Sequence, residues 1–142
     1  MEEFVTFEIA QKLKEKGFKE PCFGWYYPSD VSGYDYRTLI MSNRSTCRGD
    51  RYKDLLISHY DDKYIDAPTI SQVLKWMRNE MKINIEIFLY NRTYSYFIKS
   101  VTHIDDDDLF HQCLNEDTTD EEHETYEEAA LAGIEYVLNN II

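Results

Sequence analysis

The chain has 142 residues, 43% hydrophobic and 30% charged, a balance typical of a single globular domain and unlike that of a disordered chain. The net charge of −12 is uneven, because residues 1–99 hold 15 Lys and Arg against 14 Asp and Glu, whereas residues 100–142 hold 13 acids and no Lys or Arg. An acidic segment of this kind repels nucleic acid and anionic membranes and attracts a basic partner.

A first helix is predicted over about residues 7–16. Thr6 is a suitable N-cap, because its hydroxyl can accept a hydrogen bond from an amide of the first turn. Gly17 is placed to adopt the left-handed conformation that ends a helix, and Phe18 then folds back on Leu13 in a Schellman ending.

Two strands are predicted after this helix. Residues 22–27 form an aromatic run of strand character, residues 29–33 carry turn residues, and residues 34–41 fit the returning strand. The polar stretch 42–66 shows no clear period, so no element is assigned to it.

The second helix begins with a capping box. Thr69 is followed three residues later by Gln72, so that each side chain can satisfy a backbone amide of the other. An apolar face that includes Trp76 and Met77 follows at helical spacing and predicts a core-facing helix that runs to about Lys82.

A β-hairpin is predicted next, because apolar and mixed residues alternate over 83–90 and Asn91-Arg92 fits a two-residue turn. This turn sets the register, and a slip of one residue would place polar side chains among the isoleucines. The predicted cross-strand pairs are Leu89 with Tyr94, Ile87 with Tyr96 and Ile85 with Ile98.

Residues 102–124 are rich in acids and are interpreted as a connecting segment that is solvated and mobile, apart from Leu109, Phe110 and Leu114, which could anchor a short turn against the body. Thr125 and Glu128 form a second capping box, which opens a last helix through about Leu138. The sequence thus predicts one α+β domain over residues 1–142, with two layers, about three helices on a small antiparallel sheet, and the order α-β-β-α-β-β-α.

The segments around the three predicted helices resemble those of a known protein family. The residues concerned are Phe4-Val5-Thr6, the helix ending from Lys16 to Phe23, the segment from Ala67 to Arg78, and the segment from Tyr126 to Ile134. Together they resemble a family of small uncharacterised proteins of gut anaerobes that are associated with prophages and other mobile elements. The resemblance spans most of the chain and implies a phage or mobile-element context, but it implies no chemistry.

The acidic segment has a weak likeness to a calcium-binding loop. Asp105, Asp107 and Glu116 match positions 1, 3 and 12 of an EF-hand loop, but Leu109 and Phe110 occupy positions 5 and 6, where a ligand and a glycine are needed. We therefore expect no calcium there. A DNA mimic is kept as an alternative interpretation, in which the 13 acids of residues 100–142 imitate spaced phosphates and occupy a basic groove of another protein.

Metal and catalytic motifs are weak. His103, His111, Cys113 and His123 lie close in sequence, but no second Cys/His pair completes a zinc site. There is no phosphate-binding loop, no nucleophile elbow and no metalloprotease motif, so no catalytic residue, metal or cofactor is predicted. A cryptic enzyme built from scattered Cys and His remains an alternative.

The loop 43–53 is the basic patch of the chain, and aromatic residues lie on the predicted neighbouring strands. Such a combination can bind single-stranded nucleic acid by phosphate contact and base stacking, although a pI of about 4.6 argues against it. The candidate binding residues are Arg44, Arg48, Arg51, Lys53, Trp25 and Tyr27.

The three cysteines are odd in number and scattered, and the first residues are acidic where a secretion signal needs basic charge. These features predict a cytoplasmic protein with reduced thiols. No membrane span is predicted, because no stretch approaches the roughly 20 apolar residues that a span needs. The favoured functional hypothesis is a non-enzymatic accessory module of a phage or mobile element that binds a host or phage protein. A homodimer through a strand edge is also considered.

Overall fold

The computed structural model describes residues 3–26, 39–41, 65–100 and 113–142, which fall into two compact units, 1–69 and 70–142. The predicted α+β class is confirmed, and the described elements follow the order α-β-β-β-α-β-β-α. Two differences from the prediction are an additional strand before the second helix and the division of the strands between two antiparallel sheets. The assignment of the chain to a single domain stays a prediction.

Helix α1 of the first unit spans Phe7–Glu15 and is bounded as the sequence predicts. The hydroxyl of Thr6 accepts a hydrogen bond from the amide of Ile9 at 3.3 Å. At the other end Gly17 has a φ of 90°, and the amide of Phe18 donates to the carbonyl of Leu13 at 3.0 Å, so the Schellman ending is confirmed.

The sheet of the first unit has the order β2-β1-β3, with strands β1 Gly24–Tyr26, β2 Ile40–Met41 and β3 Ile65–Ala67. Strand β3 begins at the end of the stretch 42–66, in which the sequence showed no period, and it was not predicted. The hydroxyl of Tyr26 donates to the carbonyl of Val5 at 2.7 Å, which ties β1 to the segment before α1. Burial raises the pKa of the Tyr26 hydroxyl, with a smaller contribution from the charge of Glu8.

Helix α2 of the second unit spans Ile70–Glu80 and begins directly after Thr69, as predicted. It ends two residues before the predicted Lys82, which takes a positive φ of 57° and turns the chain into the next strand. Trp76 and Met77 are buried, which confirms that this face of the helix is core.

Strands β4, Ile83–Tyr90, and β5, Thr93–Ser100, form the predicted hairpin. The three predicted cross-strand pairs are all present. Asn91 and Arg92 have φ values of 50° and 67°, the two positive angles of a type I′ turn.

Helix α3 spans Tyr126–Asn140, two residues beyond its predicted end, and packs against both strands of the hairpin. Gly133 permits this approach, since a Cβ atom there would lie 2.9 Å from Cγ2 of Ile85 and 3.3 Å from the ring of Tyr96. The helix does not cover the whole apolar face of the hairpin. Leu89, which the sequence pattern placed on that face, is 62% exposed near the turn.

Candidate functional site: an acidic strap along strand β5

The binding residues predicted from the sequence are not brought together by the described part of the structure. Tyr27 and the four basic residues, Arg44, Arg48, Arg51 and Lys53, lie outside the described residues. Trp25 is described; it lies in β1, is partly exposed, and pairs with Ile40 on one side and Asp66 on the other. The nucleic-acid interface through this loop therefore stays a prediction.

A different surface is built by residues 113–125, here called the strap, which run along the free side of β5. The amide of Leu114 donates to the carbonyl of Ile98 at 2.8 Å. Farther along, Tyr94 and His123 exchange two backbone hydrogen bonds of 2.8 Å each. The strap thus occupies the edge of β5 that would otherwise present unpaired backbone groups.

Asn115 closes the middle of this edge with its side chain. Its Oδ1 accepts a hydrogen bond from the amide of Ile98 at 2.8 Å, and its Nδ2 donates to the carbonyl of Tyr96 at 3.0 Å. One amide side chain therefore supplies an acceptor and a donor where a neighbouring strand would supply a peptide group. Because Asn115 is fully buried, these bonds satisfy two backbone groups that water cannot reach.

Two tyrosines hold the strap by their hydroxyl groups. The hydroxyl of buried Tyr96 donates to Oε2 of Glu121 at 3.0 Å, and that of Tyr136 on α3 donates to Oδ1 of Asp117 at 2.7 Å. Burial raises the pKa of Tyr96 to about 12, and the hydrogen bond to Asp117 raises the pKa of Tyr136. Both phenols act as hydrogen-bond donors to carboxylates of the strap.

The strap displays its charge outward. Six of its side chains are exposed carboxylates, and no Lys or Arg occurs in residues 113–142. The exposed acids of the strap are Glu116, Asp117, Asp120, Glu121, Glu122 and Glu124. Because the strap is hydrogen-bonded to β5 at both ends and in the middle, the residues that carry these carboxylates have defined positions relative to the hairpin.

An aromatic group borders the acids. The rings of Tyr94 and Tyr126 meet edge to face with their centroids 6.3 Å apart, and Tyr126 is 43% exposed at the start of α3. The carboxylate of Glu128 accepts from the amide of Glu124 at 3.2 Å, while the amide of Glu128 donates to the Thr125 hydroxyl at 3.1 Å. The predicted N-cap is confirmed, although the returning carboxylate bonds one residue before it.

The described residues give limited support to metal or acid–base chemistry. Among them, no group of three or more His, Cys, Asp and Glu side chains is arranged to hold a metal ion. Asp105, Asp107, His103 and His111 of the weak calcium and zinc patterns lie outside the described ranges. Nε2 of His123 is buried without a hydrogen-bond partner in the described part of the chain and lies 3.9 Å from Oε2 of Glu121.

Sequence reasoning did not find the strap. It predicted a mobile segment over residues 102–124 with an anchor only at a few apolar residues such as Leu114, whereas the described half of that segment has specific partners on β5. Asn115 stands beside acids and resembles any polar loop residue. The signal that could have indicated such a segment was the predicted hairpin itself. A strand whose edge is buried must have its backbone groups paired by some other segment.

Comparisons with protein-family models, curated proteins and solved structures gave no match to this chain. Within the described residues, no helix has the length and apolar character that a membrane crossing requires. The strap is therefore interpreted from its own geometry and charge.

Proposed function

We propose that this chain is a non-enzymatic protein-binding module, an accessory protein of a phage or mobile element, and that its strap binds a basic surface of a host or phage protein. The observation that carries the proposal is the row of exposed carboxylates fixed against β5. The mobile-element context rests on the resemblance of the helix entries alone.

The fixed position of the carboxylates supports binding to a partner over a purely solubilising role. A flexible acidic chain must lose conformational freedom when it binds, whereas a strap already held by Asn115 and Tyr136 has lost most of that freedom. Tyr126 adds an exposed aromatic side chain beside the acids, and aromatic residues are enriched where protein surfaces meet.

The test compares two variants of equal net charge. The strap variant replaces Glu116, Glu122 and Glu124 with Gln and Asp120 with Asn, which removes four negative charges and changes the net charge from −12 to −8. Immobilised wild type is used to isolate a partner from bacterial host lysate, and the purified partner is then titrated against each variant at several salt concentrations.

The control variant removes four exposed acids from other parts of the described chain, so that it also carries a net charge of −8. Its substitutions are Glu3→Gln, Glu15→Gln, Glu20→Gln and Glu80→Gln. We expect the strap variant to bind more weakly by about tenfold or more and to lose salt sensitivity, while the control binds like wild type. Equal weakening in both variants would show that overall charge, and not the strap, governs binding.

The same surface gives a specific reason to retain the DNA mimic as a second candidate. Loops rarely display charge in a fixed order, but the strap is hydrogen-bonded along its length. A mimic would compete with DNA for the basic groove of its partner. Displacement of labelled duplex DNA from the isolated partner by wild type, and not by the strap variant, distinguishes a mimic from a binder of some other basic surface.

A further inference from the structure

The two edges of the hairpin differ in how their backbone groups are satisfied. On β5, the residues whose amide and carbonyl groups point away from β4 include Tyr94, Tyr96 and Ile98, and the strap pairs with all three. In an antiparallel pair, the residue directly opposite such a residue also points its backbone groups outward. The register therefore places outward groups on β4 at Ile85, Ile87 and Leu89.

Strand β4 has no second neighbour among the described strands, since its sheet has the order β4-β5. In its first half, the outward-pointing residue Ile85 is nonetheless buried, at 6% exposed. Exposure begins in the second half, where Phe88 is 41%, Leu89 is 62% and Tyr90 is 66% exposed. Three of the four exposed large apolar side chains in the described ranges are thus consecutive on one accessible strand edge, which is the arrangement of a protein contact.

We propose that the second half of β4 pairs with β4 of a second copy of this chain, antiparallel about a two-fold axis at Phe88. In this register Ile87 lies opposite the second copy's Leu89, and each copy's outward amide and carbonyl groups meet those of the other. The ladder is made by Ile87 and Leu89, and the buried residue Ile85 is not needed.

The side chains of this register agree with the pairing. Phe88 of one copy lies directly opposite Phe88 of the other copy, at a pair without backbone hydrogen bonds, where side chains approach most closely. An aromatic pair at such a position is favourable. A register centred one residue earlier would require Ile85, which is buried. One centred a residue later would require Asn91, whose φ of 50° takes it out of the strand.

The lack of charge at this edge is compatible with a second copy as the occupant. Two chains that each carry a net charge of −12 repel each other, and the repulsion is smallest where the contact surface itself is uncharged. The four residues Ile87–Tyr90 carry no charge, and the neighbouring Glu86 is paired with Lys99 at 2.7 Å. The acidic strap lies along the opposite edge, so this inference is independent of the proposed function.

The exposed area predicts a weak dimer. Phe88, Leu89 and Tyr90 together expose on the order of 300 Å² if each is taken as an aromatic-sized side chain. Two copies would then bury roughly 600 Å² of side-chain surface, less than the roughly 1,200–2,000 Å² of stable interfaces. Self-association is therefore expected to depend on concentration, and to be detected by sedimentation equilibrium between micromolar and near-millimolar protein.

Two substitutions with matched controls test the proposal. Leu89→Lys places a positive charge in each copy at the ladder and is expected to raise the dissociation constant about tenfold or more. Phe88→Cys places two thiols directly across the two-fold axis and is expected to form a disulfide-linked dimer under mild oxidation. The controls are Tyr126→Lys and Tyr126→Cys, since Tyr126 is 43% exposed but lies off the strand.

Two results together support the dimer. Wild type self-associates and this is weakened by Leu89→Lys but not by Tyr126→Lys, and Phe88→Cys crosslinks well above the level of wild type and Tyr126→Cys. A wild-type protein that stays monomeric at all concentrations overturns it. Equal crosslinking by Phe88→Cys and Tyr126→Cys overturns the assigned surface. A monomer whose capture of another protein is abolished by Leu89→Lys shows that the edge has a different occupant, and this also overturns the proposal.

Discussion

Replacement of Asn115 by Ala removes the side chain that closes the edge of β5. The variant leaves the amide of Ile98 and the carbonyl of Tyr96 without their partners, in a place that is fully buried in the wild type. Alanine is smaller and apolar, so it introduces no new charge and no clash. The main consequence is the loss of two hydrogen bonds to backbone groups that have no alternative partner in the described structure.

The expected cost follows from these two groups. A buried donor or acceptor that loses its partner costs about 1–3 kcal/mol, so two of them give roughly 2–6 kcal/mol if water does not enter. Water that reaches the opened site would bring the loss toward the lower figure. Small domains are stable by only about 5–15 kcal/mol, so the predicted loss is a large fraction of the total.

Urea denaturation followed by far-ultraviolet circular dichroism measures this loss as a decrease in the free energy of unfolding. The matched control is Asn139→Ala, because Asn139 is exposed on α3 and its replacement should change stability by less than about 0.5 kcal/mol. A loss for Asn115→Ala of less than about 1 kcal/mol would contradict the reasoning, since it would mean that the two backbone groups are satisfied without the side chain.

Three further predictions concern the packing of the second unit, and each is checked by the same denaturation assay. Gly133→Ala should lower the free energy of unfolding by about 1 kcal/mol, because a crowded core costs about 1–3 kcal/mol and the better helix propensity of Ala returns at most about 1; a stabilised variant would contradict this. Thr125→Ala should cost about 1 kcal/mol, since the amide of Glu128 loses its cap, and an unchanged stability would show that the cap is replaced by water. Tyr96 has a pKa of about 12 in the folded state against 10.0 for a free tyrosine, so its contribution is complete below about pH 10 and is lost as the pH rises toward 12. Tyr96→Phe should therefore flatten the alkaline decline in stability, and an identical slope in wild type and variant would refute the shift.

Local and periodic features of the fold were accessible from the sequence. The Thr6 cap, the Gly17 ending and the turn at Asn91-Arg92 depend on residues within a few positions of one another. The register of the hairpin follows from the period-two pattern once that turn is fixed. Such features need no knowledge of the rest of the chain.

Features that join distant segments were not accessible. The partner of the β5 edge comes from residues 14 or more positions away, and no local pattern marks Asn115 as the residue that bonds to Ile98 and Tyr96. The exposure of Leu89 has a similar cause, because the pattern shows which face it occupies but not how far α3 extends over that face. Alternation predicts a face, whereas burial depends on what packs against it.

The two proposed surfaces lie on opposite edges of one hairpin: the strap pairs with the edge of β5, and the proposed dimer contact uses the edge of β4. Asn115 acts on β5 alone, so its loss should loosen the acids near Glu116 and Asp117 without changing the outward groups of Ile87 and Leu89 on β4. A partner held by fixed carboxylates would then bind more weakly to Asn115→Ala under conditions in which the protein is still folded, while self-association through β4 would persist. If both interactions weakened together, the two edges would be coupled through the hairpin, and the assignment of separate roles to them would be wrong.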